Sequence, residues 1–190
     1  MLTVGFALCG SYCTFKKVIA QLEILTQDKD LIIVPIMSEN AYSLDTRFGT
    51  AKDFVKEVEE LTKNKVLHSL NEVEPIGPKN LLDALIIAPC TGNTLAKLAA
   101  GVADTSVTFA AKAHLRNEKP IIIGISTNDA LAAAAKNIGA LHNAKNFYFI
   151  PYRQDDCKKK PNSIVADFTK TRVALDCALR HEQTQPVIIG

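Results

Sequence analysis

Five short apolar runs carry no alternation, and they constrain this chain more than any other feature. Residues 2–8, 31–36, 84–88, 121–125 and 147–150 are stretches dominated by Val, Ile, Leu, Phe and Ala, each bounded by Gly, Pro or polar residues. A half-exposed strand alternates polar and apolar side chains, whereas a strand covered on both faces does not. The segments between the runs have helical spacing instead. Residues 15–26 place Val18, Ile19, Leu22 and Leu25 on one face, and residues 51–63 do the same with Phe54, Val55, Val58 and Leu61. Further helices are expected over 95–100, 106–115 and 130–138, and a long C-terminal one over 162–180 with Ile164, Phe168, Leu175 and Leu179 as its stripe. Strands alternating with helices predict a three-layer αβα fold around a parallel, Rossmann-like or flavodoxin-like sheet. Residues 187–189 are a candidate sixth strand, and residues 152–161 (YRQDDCKKKP) read as a charged surface loop. No repeat or linker divides the chain, so residues 1–190 are expected to form one domain.

Composition narrows the class. A formal charge of +2 argues against a nucleic-acid binder that works through bulk charge. No run approaches the ~18 apolar residues of a membrane span, and the first residues read as a strand rather than a leader. The five cysteines (Cys9, Cys13, Cys90, Cys157 and Cys177) form no CxxC pair and no zinc-type cluster. Scattered thiols suit a reducing cytoplasm, and no metal site is expected.

In an open parallel sheet, ligands bind at the carboxyl ends of the strands, and here those ends are polar. After the first strand come Gly10 and Ser11, a tight turn with Ser11 and Thr14 as helix caps. This suits a single phosphate better than a dinucleotide, because GxGxxG is absent. Ser38 follows the second strand as a cap or phosphate ligand. The third strand is expected to stop at Pro89, followed by Cys90, Thr91, Gly92, Asn93 and Thr94, whose hydroxyls, amide and free N–H groups suit a heterocycle edge. Ser126, Thr127 and Asn128 close the fourth. Residue chemistry alone thus points to a small, anionic ligand.

The stretch APCTGNTLAKLAAGVAD resembles the APxxANTxAKxAxGxAD signature of the homo-oligomeric flavin-containing cysteine decarboxylase superfamily, to which the flavin prenyltransferases are related. The resemblance implies an FMN-binding domain, with Gly10, Ser11 and Ser38 toward the phosphate, Cys90, Thr91 and Asn93 along the flavin, and Ser126 at the next strand end. Two departures follow. Pro75 stands where the decarboxylases carry their active-site His, and Ile125-Ser126-Thr127-Asn128-Asp129-Ala130 replaces their PxMNxxMW motif in a chain without Trp. Cysteine decarboxylation is therefore not expected. The stretches GSYCTFKK, EPIGPKNLLDALIIAPCTGN, AKAHLRNEKPIIIGISTNDAL and PYRQDDCKKKP are most similar to one branch, the dipicolinate synthase B subunits.

That branch implies an oxidoreductase subunit that takes a dihydrodipicolinate-type intermediate to dipicolinate during sporulation. It would be homo-oligomeric and cytoplasmic in the mother cell, working with an A subunit that holds NAD(P). Alternatives are a non-catalytic FMN- or anion-binding partner subunit and a flavin prenyltransferase-like enzyme; Ser126-Thr127 in place of the latter's phosphate-binding Arg-Glu pair counts against it. A small dicarboxylate substrate calls for cations: Arg153 first, then Lys97, with Lys112, Arg116 and residues 158–160 as further candidates. His114 lies in an amphipathic helix and reads as structural, and no catalytic base is assigned.

Overall fold

The computed structural model describes residues Met1–Gly190. The apolar runs are strands β1 (Leu2–Leu8), β2 (Leu31–Met37), β3 (Ala84–Cys90), β4 (Ile121–Thr127) and β5 (Phe147–Phe149). They pair in parallel in the order β2-β1-β3-β4-β5. Every residue of β3 and all but the last of β4 are buried, as continuous apolar composition requires of central strands.

The helices are α1 (Phe15–Thr26), α2 (Glu39–Ser43), α3 (Ala51–Thr62), α4 (Leu70–Val73), α5 (Gly92–Ala100), α6 (Ser106–Leu115), α7 (Ala135–His142) and α8 (Thr171–Leu179). α1 and α8 cover one face of the sheet, α5, α6 and α7 the other, and α3 closes the β2 edge against α1. A single hydrophobic core of 46 residues fills both interlayer spaces. The fold is a single-domain, three-layer α/β architecture of the flavodoxin-like kind. The chain leaves β1 toward β2 and then crosses to β3 on the other side, so the strand order reverses between β1 and β3. A crevice opens at such a reversal because the connections diverge there.

Several expectations are corrected. The long helix over 162–180 begins only at Thr171; Ile164–Ala166 form strand β7, antiparallel to both the end of β4 and β6 (Tyr152–Gln154). The reason is an edge: β5 covers β4 only at Ile121–Ile123, which leaves Ser126 and Thr127 with open backbone groups that β7 satisfies. The charged loop over 152–161 is thus partly strand, the rising arm and tip of the β6–β7 hairpin. Residues 128–134 form turns rather than the start of α7, with the Asp129 carbonyl accepting from Ala132 and Ala134 N–H. Residues 187–189 make one bridge, Ile188 to Tyr152, rather than a strand. Pro89 does not end β3, which continues through a register shift to Cys90.

Candidate functional site

At the carboxyl ends of β1, β3 and β4 lies a cleft of about 630 Å³, of the size that holds a cofactor. The β1 turn contributes Gly10, Ser11, Tyr12, Cys13 and Thr14, and the first turn of α1 adds Lys17. Thr91 comes from the end of β3, and Ser126, Thr127 and Asn128 from that of β4. The hairpin supplies one wall through Asp155, Lys160, Ser163, Ile164 and Val165, and the loop between α2 and α3 supplies Arg47 and Phe48 at the rim.

The floor is a hydroxyl cluster. Ser11 Oγ and Ser126 Oγ are 2.8 Å apart, and Thr14 Oγ1 lies 3.4 Å from Ser126 Oγ while donating to the Ser11 carbonyl at 2.8 Å. Two residues more than a hundred positions apart meet because the β-α turns of a parallel sheet emerge at the same end. The expected capping role fails for Ser11 and Thr14, since neither side chain caps a helix. Gly10 does not need glycine's backbone freedom; a Cβ there would meet only the Tyr12 ring at 3.5 Å. Its contribution is a bare backbone in the cleft lining. Thr91 accepts from Thr94 N–H as the cap of α5, so its backbone and hydroxyl stand at the positive end of that helix.

The charges of the lining are three cations, Lys17, Arg47 and Lys160, against one carboxylate, Asp155, which pairs with Lys160 at 2.8 Å. That excess suits an anion. The cleft lining holds no histidine.

Of the expected cofactor residues, the structure brings Gly10, Ser11, Thr91 and Ser126 to the cleft. Ser38 is turned to capping α2, where its Oγ accepts from Ala41 N–H. Asn93 is on the far side of the α5 start, in a neighbouring concavity with Asp129 and Ala132–Ala135. Cys90 is wholly buried, and burial raises its thiol pKa well above the ordinary value, which makes it an apolar wall. Neither expected substrate cation lines the cleft: Arg153 is exposed on β6, and Lys97 is bound to Asp104 at 2.7 Å. Sequence reasoning missed Lys17, Arg47 and Phe48. Lys17 sits in helical register with Thr14, a signal that was legible; the stretch around Arg47 has no periodicity and offered none.

His114 proves structural. It is fully buried in α6, its Nε2 lies 3.0 Å from the Pro120 carbonyl, and desolvation lowers its pKa to about 4. No cluster of His, Cys, Asp or Glu is arranged to hold a metal ion, and no helix is long and apolar enough to cross a membrane.

A flavodoxin-like sheet whose switch-point cleft presents hydroxyls and excess positive charge defines a cofactor-binding α/β domain. The chain belongs to the Flavoprotein family, whose model matches residues 1–174. Within it, the chain is 43% identical over 186 residues to the dipicolinate synthase B subunit of Bacillus subtilis, covering 98% of this chain and 92% of that one. The crystal structure of the dipicolinate synthase B subunit from Bacillus halodurans superposes with a TM-score of 0.91 at 41% identity, over 100% of this chain and 96% of that chain. Burkholderia xenovorans DmrB, a cubic protein cage for redox transfer crystallised with FMN, shares the fold at a TM-score of 0.69 and 17% identity, over 95% and 96% of the two chains.

Proposed function

We propose that this chain is the B component of a dipicolinate synthase, holding FMN in the switch-point cleft. In this reading it acts as an oxidoreductase subunit that converts a dihydrodipicolinate-type intermediate to dipicolinate. The observation that carries the reading is the Ser11–Ser126–Thr14 hydroxyl cluster on the floor of a cationic cleft. Beside a bare glycine backbone, Ser11 and Ser126 can turn their O–H groups from each other to phosphate oxygens, while Thr14 holds the turn through the Ser11 carbonyl and Lys17 offsets the charge of the phosphate. Thr91 at the start of α5 offers polar groups to a ring edge, while Ile164 and Val165 of the hairpin cover the opposite side and exclude water.

Bound FMN would supply a two-electron, hydride-accepting centre. Aromatising the dihydro ring also releases a proton, and the cleft lining offers neither histidine nor an unpaired carboxylate to take it. The proton then passes to solvent or to a group that a partner brings to the cleft. A partner A subunit that holds the nicotinamide dinucleotide fits this division, since the chain carries no GxGxxG. The same shortage of a base favours a second reading, in which the chain holds FMN or another anion for its partner and performs no chemistry itself. Pro75 at the decarboxylase histidine position and the absence of Trp support a reaction other than cysteine decarboxylation. The reading places the protein, as a homo-oligomer, in the mother-cell cytoplasm of a sporulating bacterium.

The test is spectroscopic and functional. Purified protein titrated with FMN should acquire a bound flavin band near ~450 nm, weakened in Ser11→Ala and Ser126→Ala. Mixing with the A subunit should raise dipicolinate formation above that of either alone. Absence of FMN uptake would remove the cofactor; a flavin-loaded chain that leaves product formation unchanged would remove the reaction.

A further inference from the structure

The turn over residues 46–49 is built with unusual firmness for a surface loop. Thr46 and Gly49 exchange both backbone hydrogen bonds, at 3.0 and 3.1 Å, which leaves Arg47 and Phe48 as the two tip residues. Phe48 N–H is further held by Thr46 Oγ1, and Asp45 Oδ1 accepts from Ala51 N–H at the start of α3. Gly49, at φ +150°, sits so close on Phe54 that a Cβ would lie 2.8 Å from that ring. Phe54 in turn meets Phe15 edge-on at 5.0 Å, and Phe15 meets Tyr12 of the cleft floor at 5.1 Å. The turn is therefore registered on the core by an aromatic chain that leads back to the cleft.

What this turn presents is paired only within itself. Arg47 takes part in no ion pair. Its guanidinium stands 4.9 Å from the Phe48 ring centroid, and that residue is 40% exposed. The other rim cation, Lys160 of the hairpin tip, is already paired with Asp155, which leaves Arg47 as the uncompensated one. A ring held at the rim of a cleft offers a face for stacking, and an uncompensated guanidinium beside it has the fork geometry that matches a carboxylate. A phosphate bound among the floor hydroxyls would meet the charge of Lys17 there, which leaves Arg47 for a second anion.

We propose that Arg47 and Phe48 form the substrate subsite of the cleft, taking a planar ring that bears carboxylates: Phe48 stacks on the ring and Arg47 grips one carboxylate bidentately. This rests on the reading of the floor as the FMN site, and it moves substrate recognition from Arg153 to the rim turn between α2 and α3.

Isothermal titration with pyridine-2,6-dicarboxylate, heptanedioate and FMN tests it on the full chain. Arg47→Ala should weaken the pyridine dicarboxylate by about 10- to 100-fold, the loss of one charge-assisted pair, with Arg47→Lys recovering only part. Phe48→Ala should weaken the pyridine diacid while leaving the aliphatic diacid unchanged, and Phe48→Tyr should restore it. FMN affinity should stay at the wild-type value in all four variants, which also reports that they are folded. Wild-type affinity for the pyridine diacid in Arg47→Ala and Phe48→Ala overturns the proposal. So does its failure to bind the wild-type protein, or a parallel loss of FMN, which would make the turn part of the flavin site. A wild-type chain that takes no FMN but shows the diacid pattern would refute the cofactor reading and leave this subsite standing.

Discussion

At His114 a single hydrogen bond settles both tautomer and titration. The Pro120 carbonyl can only accept, so Nε2 carries the hydrogen and Nδ1 is a bare lone pair, buried without a partner. Protonating Nδ1 would bury a charge with nothing to receive it, which is why desolvation depresses the pKa to about 4. The unfolded chain binds that proton near its ordinary value of about 6.5. Between these values the unfolded state holds more protons, so this group's stabilising contribution is complete above the upper one and is lost as pH falls toward the lower. Acidification from near pH 7.5 to about pH 5 should cost about 2 kcal/mol in urea unfolding, a slope that His114→Gln largely removes. An unchanged slope in the variant would show that another group governs it. The thiols divide by the same physics. Burial pushes Cys9 up to about 11 and Cys90 well above its ordinary value, whereas Cys13 and Cys157 are exposed. A disulfide-exchange reagent should modify Cys13 and Cys157 in the native protein and reach Cys9 and Cys90 only after denaturation.

Among the elements, two glycines show how packing rather than residue type sets the sign of a substitution. A Cβ on Gly77 would lie 2.8 Å from the Ala113 carbonyl oxygen, a backbone atom of α6 that cannot swing aside. Gly77→Ala should destabilise by about 1–3 kcal/mol. In α7, Gly139 has no atom within 4 Å of the same position, so Gly139→Ala should stabilise by about 0.5–1 kcal/mol. Thermal unfolding of both variants checks the pair, and equal shifts would sink the argument. The β6–β7 hairpin is the element that sequence reading lost. Ile164, Phe168, Leu175 and Leu179 do fall on a helical stripe, yet Ile164 is held in a strand because the open edge of β4 at Ser126 and Thr127 needs a partner. Periodicity counts side chains on faces; it does not count unsatisfied N–H and C=O groups elsewhere in the sheet.

For the whole molecule, a ligand that binds only the folded state must stabilise it. FMN at about a hundred times its dissociation constant should add about 2.7 kcal/mol, raising the Tm by roughly 5–10 °C for a chain of this size. A thermal shift that does not grow with FMN concentration would contradict a site in the native cleft. The chain's own composition determined the core: non-alternating apolar runs can be satisfied only when both faces are covered, so five parallel strands between helices were legible from the residues, as were the polar turns at their ends. Gly10, Ser11, Thr91 and Ser126 could be named in advance because strand ends converge by topology. Only the tertiary structure decided which polar groups remained available. Ser38 was taken by a helix cap, Lys97 by Asp104 and Cys90 by burial, while Arg47, without any local pattern, stayed free on a turn held by the core. The parallel core follows from what its residues are; the pairing of β7 and the availability of each polar group depend on what else the fold brings within reach.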